Sequence, residues 1–199
     1  GSQINKSFLD ALAFERAGKL DEAARAYKRV VTLNADHAEA HNNLARVLHA
    51  RGKAKDASAS YARALALMPQ LFQQYSGIRD TLTSLLPQLG EALRRQMAAW
   101  PKRSSVTGLF GESGFAAIAD NPLLLIILQS TPVRDVAFER LLTALRASLA
   151  NDATAGNPIA ESILGLACTL ARQCFINEYV FATTPEEETN IDTLKRAVE

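Results

Sequence analysis

Apolar residues recur at helical spacing between residues 44 and 69 and fall into two groups. The apolar positions are Leu44, Ala45, Val47, Leu48, Ala57, Tyr61, Ala64, Leu65 and Leu67. Spacing of three and four residues indicates one buried face on each of two helices. A tight turn at Gly52-Lys53 joins them, and Pro69 ends the second because proline cannot donate to the helical ladder. This stretch therefore predicts a helical hairpin.

The same pattern occurs 34 residues earlier in the chain. The matching pairs are Gly18 and Gly52, Lys19 and Lys53, Ala23 and Ala57, Tyr27 and Tyr61, Arg29 and Arg63, and Leu33 and Leu67. A period of 34 residues with small, aromatic and apolar residues at these places resembles the tetratricopeptide repeat. The resemblance implies two helical hairpins, at residues 4–37 and 38–71. The first departs from the family pattern, with Asp10 in place of leucine and Ala35 in place of proline.

A degenerate third unit follows at residues 72–100. Its helices are predicted at 72–85 and 90–100, and Leu86-Pro87 makes the break between them. Repeat arrays need about three stacked units, so this pair is interpreted as a cap. We predict a tetratricopeptide domain over residues 4–100.

The second half keeps helical periodicity and loses the repeat. Residues 102–114 contain three glycines and predict a linker, and residues 101–199 predict a second helical domain. Four Asn-Pro or Thr-Pro pairs place an N-cap side chain before a proline at the first helical position. The predicted helices are 114–120, 122–130, 132–150, 158–182 and 185–198. The fourth is apolar on nearly all sides, which predicts a central position. The chain is thus predicted to be all-α.

The composition places the chain among ordinary globular proteins. Hydrophobic residues make up 48%, charged residues 22%, and the net charge is +1. A balanced charge gives no general attraction to nucleic acid or to an acidic membrane. The longest apolar run, 123–128, is far shorter than the ~20 residues of a membrane helix. The two cysteines, Cys168 and Cys174, are interpreted as buried small hydrophobes in a reducing compartment. We expect a soluble, cytoplasmic protein.

No catalytic constellation is visible in the sequence. His37 and His41 lie four residues apart, but no third ligand is near, so no metal site is predicted. The glycine-rich run 108–114 lacks the lysine and the preceding strand of a phosphate-binding loop. No set of nucleophile, base and acid is present either. We therefore expect no enzyme activity and no cofactor in this chain.

The outward faces of the first helix of each repeat line a concave surface in the tetratricopeptide family. Here that surface would contain Phe8, Leu12, Glu15, Glu39, Asn42, Arg46 and His49. Arg46 and Asn42 are suited to a carboxylate or a peptide backbone. The alternative is a plain solvated face. Of the residues with which some repeats grip a C-terminal carboxylate, only Asn43 is matched, so that ligand is not expected.

A second candidate surface lies on the fourth predicted helix of the second half. Four polar residues interrupt its apolar run, namely Arg172, Gln173, Asn177 and Glu178. Buried polar groups need partners. One interpretation is that the helix docks on another domain, and the other is that these residues face solvent or cap neighbouring helices.

Residues 120–188 carry a second resemblance. The stretches DNPLLLIILQSTPVRDVAFERLLTALR and LACTLARQCFINEYVFATTPEEE are similar to the region after the repeats in bacterial proteins that join tetratricopeptide repeats to a class I S-adenosylmethionine-dependent methyltransferase. The resemblance implies the non-catalytic N-terminal region of such an enzyme, which binds a partner protein, a peptide or its own C-terminal domain. S-adenosylmethionine would then bind only the full-length protein, because no strand with a G-x-G loop occurs here. The alternative is a free-standing adaptor with no attached enzyme.

Overall fold

The computed structural model describes residues 2–70, 78–130, 133 and 135–176, together with residues 185, 188, 189, 192 and 196. Within these residues it contains eleven helices and no strand, so the all-α prediction is confirmed. The helices are α1 (Ser2–Arg16), α2 (Leu20–Leu33), α3 (Ala38–Ala50), α4 (Ala54–Leu67), α5 (Ile78–Leu85), α6 (Pro87–Ala99), α7 (Val106–Gly114), α8 (Ala116–Ala119), α9 (Pro122–Ser130), α10 (Val136–Thr154) and α11 (Glu161–Ile176).

The first four helices form two antiparallel hairpins with the same turn. In each, a glycine follows the first helix at positive φ, 71° for Gly18 and 70° for Gly52. Gly18 N–H donates to the Glu15 carbonyl at 3.0 Å, and the next residue donates to the Phe14 carbonyl at 2.9 Å. Gly52 and its successor repeat this pattern at 2.9 Å each, 34 residues later. This is the Schellman cap, which satisfies helix-end carbonyls and favours glycine.

Small residues allow the paired helices to approach, and one tyrosine fills each hairpin. Ala11, Ala23 and Tyr27 are fully buried in the first hairpin. Ala45, Ala57 and Tyr61 are buried in the second. Helix α2 packs on α3 as well as on α1, so the hairpins stack directly. The predicted packing roles of both tyrosines are confirmed.

Contacts divide the chain into two compact units. One is Gly1–Thr81 with Asn121–Ile126, and the other is Leu82–Asp120 with Ile127–Glu199. The sequence-based division after residue 100 differs from this grouping, because α6 packs on α7 and α10. As a statement about independently folding domains, that division stays a prediction.

The linker predicted at 102–114 is wrong, since Val106–Gly114 forms helix α7. Its N-cap is Ser105, whose hydroxyl accepts from Gly108 N–H at 3.1 Å. Leu109 and Phe110 are buried, and apolar burial outweighs the cost of three glycines. Gln96, fully buried, ties down the preceding backbone by donating to the Lys102 carbonyl at 2.8 Å. Gly111, at φ 72°, makes a kink within the helix.

Of the predicted proline-marked helix starts in the second half, one is confirmed. Asn121 Oδ1 accepts from the N–H groups of Leu123 and Leu124 at 3.1 and 3.0 Å, so α9 begins as expected. Helix α10 begins at Val136, four residues after the predicted start, because the carboxylate of Asp135 caps it at 2.9 Å. Helix α11 begins at Glu161 and not at residue 158. Thr184 and most of the predicted helix 185–198 lie outside the described residues.

Helix α11 is buried along one face only, so its predicted enclosure on all sides is wrong for the described part. Leu166, Thr169, Leu170 and Gln173 are buried, whereas Leu164 and Cys168 are exposed. The interpretation of Cys168 as a buried hydrophobe is corrected accordingly, and the side chain of Cys174 lies outside the described residues. In the described part of the chain, no helix combines the length and apolar character needed to cross a bilayer.

Candidate interaction groove

The first helices of the two hairpins lie side by side and run in the same direction. Near one end, the ring of Phe8 stacks on that of His37, just before α3, with centroids 4.9 Å apart. Near the other end, Glu15 on α1 meets Arg46 on α3. We refer to the surface formed by the outward faces of α1 and α3 as the groove.

A polar network crosses from the first hairpin to the second beneath this groove. Arg46 donates to Glu15 Oε1 through Nε at 2.8 Å and Nη2 at 2.6 Å. The Tyr27 hydroxyl donates to the other oxygen of Glu15 at 2.8 Å. The side chain of Asn43, buried, donates to the Tyr27 hydroxyl in turn. The buried polar groups are therefore satisfied across the boundary between hairpins.

Burial raises the pKa of the Tyr27 hydroxyl well above its usual range, and its hydrogen bond to Glu15 adds to that effect. The phenol consequently stays protonated and acts as a donor at any pH the protein would meet. Tyr27 thus combines two roles, because its ring fills the hairpin and its hydroxyl positions Glu15.

The seven residues predicted to line the groove differ in exposure. Glu39 and Arg46 are exposed, and the others, Phe8, Leu12, Glu15, Asn42 and His49, are half-buried. The structure brings Glu15 and Arg46 into direct contact, and it places Phe8 against Tyr27 and His37. That these residues bind a partner stays a prediction.

The sequence did not predict the side-chain contacts that position the groove residues. Asn43 matches a ligand-gripping residue of some repeats in sequence, but here it is buried and bonded to Tyr27. Its position one residue before the apolar pair Leu44-Ala45 was the available signal. The pairing of Arg46 with Glu15 was not visible, because the two residues are 31 positions apart.

Three ion pairs join the hairpins, and each has its acid in the first and its arginine in the second. Glu15 pairs with Arg46 at 2.6 Å, Asp21 with Arg51 at 2.5 Å, and Asp36 with Arg63 at 2.8 Å. Exposed pairs of this kind contribute little singly. Their common polarity nevertheless favours this order of stacking, since in the reversed order the equivalent positions would bring no acid opposite an arginine.

The two histidines that lie four residues apart, His37 and His41, have structural roles. His37 Nδ1 accepts from Ala40 N–H at 3.2 Å and caps α3. His41 Nε2 lies 3.0 Å from the Ala35 carbonyl. No group of three or more His, Cys, Asp or Glu side chains suited to a metal ion occurs in the described residues.

The second predicted surface is described only in part. Arg172 is exposed on α11 and Gln173 is fully buried, so neighbours in sequence have opposite environments. Asn177 and Glu178 lie outside the described residues. Docking of another domain through these four residues stays a prediction.

Comparison with known proteins agrees with the helical hairpins. Residues 15–79 match the family model of the tetratricopeptide repeat. No curated protein and no solved structure matches the chain. Repeats of this family are non-catalytic and generally mediate protein–protein binding. The two equivalent caps at Gly18 and Gly52 lie within the matched residues and agree with this similarity.

Proposed function

We propose that the groove between α1 and α3 binds a peptide segment of a partner protein and that Arg46 recognises a carboxylate in it. The observation that carries the proposal is the geometry of Arg46. Its Nε and Nη2 both address one oxygen of Glu15, and its side chain is 55% exposed. A guanidinium has five N–H donors, so those of Nη1 remain directed away from Glu15. Glu15 holds the arginine in place, and the ligand takes the remaining donors.

Apolar side chains beside Arg46 would take the rest of the peptide. Phe8 and Leu12 lie one turn apart on α1, and Glu15 follows on the same stripe. Glu39, Asn42 and His49 continue the Arg46 stripe along α3. Half-buried aromatic and aliphatic surface next to one fixed charge is the usual composition of a peptide site. The expected ligand therefore carries an acidic residue close to an apolar one.

Arg46→Gln tests the groove, with Arg63→Gln as its matched control. Arg63 is also exposed and ion-paired, but its partner is Asp36. A phage-displayed peptide library is selected on the wild-type chain, and the selected peptides are titrated by fluorescence anisotropy. We expect R46Q to weaken binding at least about tenfold, ~1.4 kcal/mol, and R63Q to leave it unchanged. Glutamine is used because Arg46→Glu would set a second carboxylate against Glu15.

Peptides that bind R46Q and wild type equally would rule out the carboxylate contact. Thermal unfolding of the two variants separates binding from folding, since both lose one partly exposed ion pair and should melt alike.

We also propose that this chain is the non-catalytic N-terminal part of a tetratricopeptide-containing, S-adenosylmethionine-dependent methyltransferase. The support is the resemblance of residues 120–188, and the groove would then hold a substrate protein or the catalytic domain. The alternative is an adaptor without an enzyme. Calorimetry with S-adenosylmethionine on this chain and on the product of the full natural reading frame separates them. Binding by the longer product alone favours the methyltransferase, and binding by neither favours the adaptor.

A further inference from the structure

An open cleft lies on the outer side of the first hairpin, away from the groove residues. Its volume is about 320 Å³. Helices α1 and α2 both contribute to its lining, which consists of Ser7, Asp10, Phe14, Glu22, Arg25, Ala26 and Arg29. The proposed peptide site uses none of these residues.

The 34-residue period shows which face of the hairpin this is. Arg29 in the cleft is equivalent to Arg63, and Arg63 reaches back to Asp36 at the end of the first hairpin. The cleft is therefore the counterpart of the face with which the second hairpin meets the first. Asp10 and Phe14 are equivalent to Leu44 and Leu48, which are only 4% and 2% exposed. The first hairpin thus presents a stacking face on which polar residues replace part of the apolar surface.

This face carries equal numbers of acidic and basic side chains, which form no ion pairs within the described part of the chain. Asp10 and Glu22 are acidic, and Arg25 and Arg29 are basic. Within the described residues, none of the four forms an ion pair. In contrast, the three arginines that meet the first hairpin from the second each have an acidic partner there.

A patch with equal numbers of both signs favours one kind of occupant. A uniformly acidic or basic ligand would meet as many repelling charges as attracting ones. A surface with the same mixed pattern can pair every charge. Two copies of one patch related by a two-fold axis supply that pattern automatically, because each acid of one copy can face an arginine of the other.

We propose that the cleft face of the first hairpin is a homodimer interface. Asp10 and Glu22 of one copy pair there with Arg25 and Arg29 of the other. Phe14, half-buried at the cleft, supplies the apolar contact, and the small side chains of Ser7 and Ala26 allow the helices to approach closely. The dimer leaves both peptide grooves open, so it would bind a partner with two sites more tightly than one with a single site.

Charge reversal on the full 199-residue chain tests this interface by sedimentation equilibrium. The wild type is measured over a concentration series from about 1 µM to 1 mM. R25E/R29E turns all four charges acidic, and D10R/E22R turns them all basic. K53E/K55E changes the net charge as R25E/R29E does, at exposed lysines outside the cleft. Circular dichroism confirms that each variant is folded.

We expect wild type and K53E/K55E to dimerise, and more weakly at high salt. Each cleft variant should lose at least about tenfold in association, and an equimolar mixture of R25E/R29E with D10R/E22R should recover it as a heterodimer. A monomeric wild type at every concentration overturns the proposal. So does a dimer that R25E/R29E leaves intact, or a mixture that stays monomeric.

Discussion

The first and second hairpins have the same backbone conformation at their turns and differ in the side chains on their stacking faces. Both close with a glycine at positive φ and the same pair of turn hydrogen bonds. Both bury small residues where their helices cross and a tyrosine beside them. The second buries Leu44 and Leu48 on the face directed towards the first, whereas the first has Asp10 and Phe14 at the equivalent positions of an open cleft.

This difference separates the residues that make a hairpin from those that give it a partner. The turn and the crossing tolerate little change, since a positive φ favours glycine and a close approach requires alanine. The stacking face tolerates replacement as long as the new side chains reach water or a partner. Partner choice in such a repeat therefore resides in residues that the repeat pattern does not specify.

The largest expected effect comes from the two hairpin tyrosines. Tyr61→Ala should lower the free energy of unfolding by about 3–5 kcal/mol, because it leaves a cavity where the ring was buried. Tyr27→Ala should cost at least as much, since it also removes the partner of Asn43. Urea unfolding followed by circular dichroism measures both. Leu33→Ala, at an exposed site, should stay within ~0.5 kcal/mol. If the tyrosine variants lower the free energy of unfolding no more than this control does, burial of the two rings does not stabilise the hairpins.

Tyr27→Phe sharpens the comparison because the Tyr27 hydroxyl is part of the polar network between the hairpins. The ring remains, but Asn43 loses its acceptor and Glu15 loses a donor. Leaving a buried polar group unsatisfied costs about 1–3 kcal/mol. The double variant Tyr27→Phe/Asn43→Leu should recover part of this loss, since both polar partners are then replaced by apolar groups. Double-mutant urea titrations provide the test, and strictly additive losses would argue against the hydrogen bond.

The hairpins could be predicted from the sequence because their determinants are local and repeated. Gly18 and Gly52 mark the turns, and the alanine and tyrosine positions recur at a fixed interval. The cross-hairpin network was not predictable in the same way. Glu15, Tyr27, Asn43 and Arg46 come from three helices, and no local pattern states which pairs meet. Likewise, the seven groove positions followed from the repeat, but not the pairing that fixes Arg46.

The second half shows where composition misleads. Glycines and serines in 102–114 predicted a linker, but two apolar side chains and a serine cap suffice for α7. Its attachment depends on distant groups, such as the Ser148 hydroxyl that accepts from Val106 N–H at 3.1 Å. The start of α10 shows the same limit, because the Asp135 cap competes with the proline signal before it. Tertiary contacts overrode local signals at both places.

Gly18→Ala and Gly52→Ala test whether the two turns are energetically alike. Both glycines have positive φ, and a Cβ at either site would meet nothing within 4 Å. The cost should therefore be purely conformational, about 1–2 kcal/mol for each, and equal within error. Urea unfolding of the two single variants gives the comparison. Clearly unequal losses would show that the hairpins differ at the turn as well as on their faces.

The smallest expected effect is a difference between the two hairpins in how their stability depends on pH. The equivalent of Ser7 in the second hairpin is His41, whose pKa is lowered from 6.5 chiefly by burial. Arg63 and His37 lower it further, whereas Asp36 and the Ala35 carbonyl oppose the shift. The unfolded chain therefore binds a proton at this histidine more readily than the folded chain does. As a consequence, His41 lowers the free energy of unfolding as pH falls through 6.5 towards the folded-state pKa, and it causes no such loss above pH 6.5.

His41→Gln keeps a donor for the Ala35 carbonyl and should flatten the decline in stability below pH 6.5 while leaving stability at higher pH nearly unchanged. Thermal unfolding of both proteins across this range, at constant ionic strength, isolates the difference. A variant whose pH profile parallels that of the wild type would show that protonation of His41 does not destabilise the second hairpin.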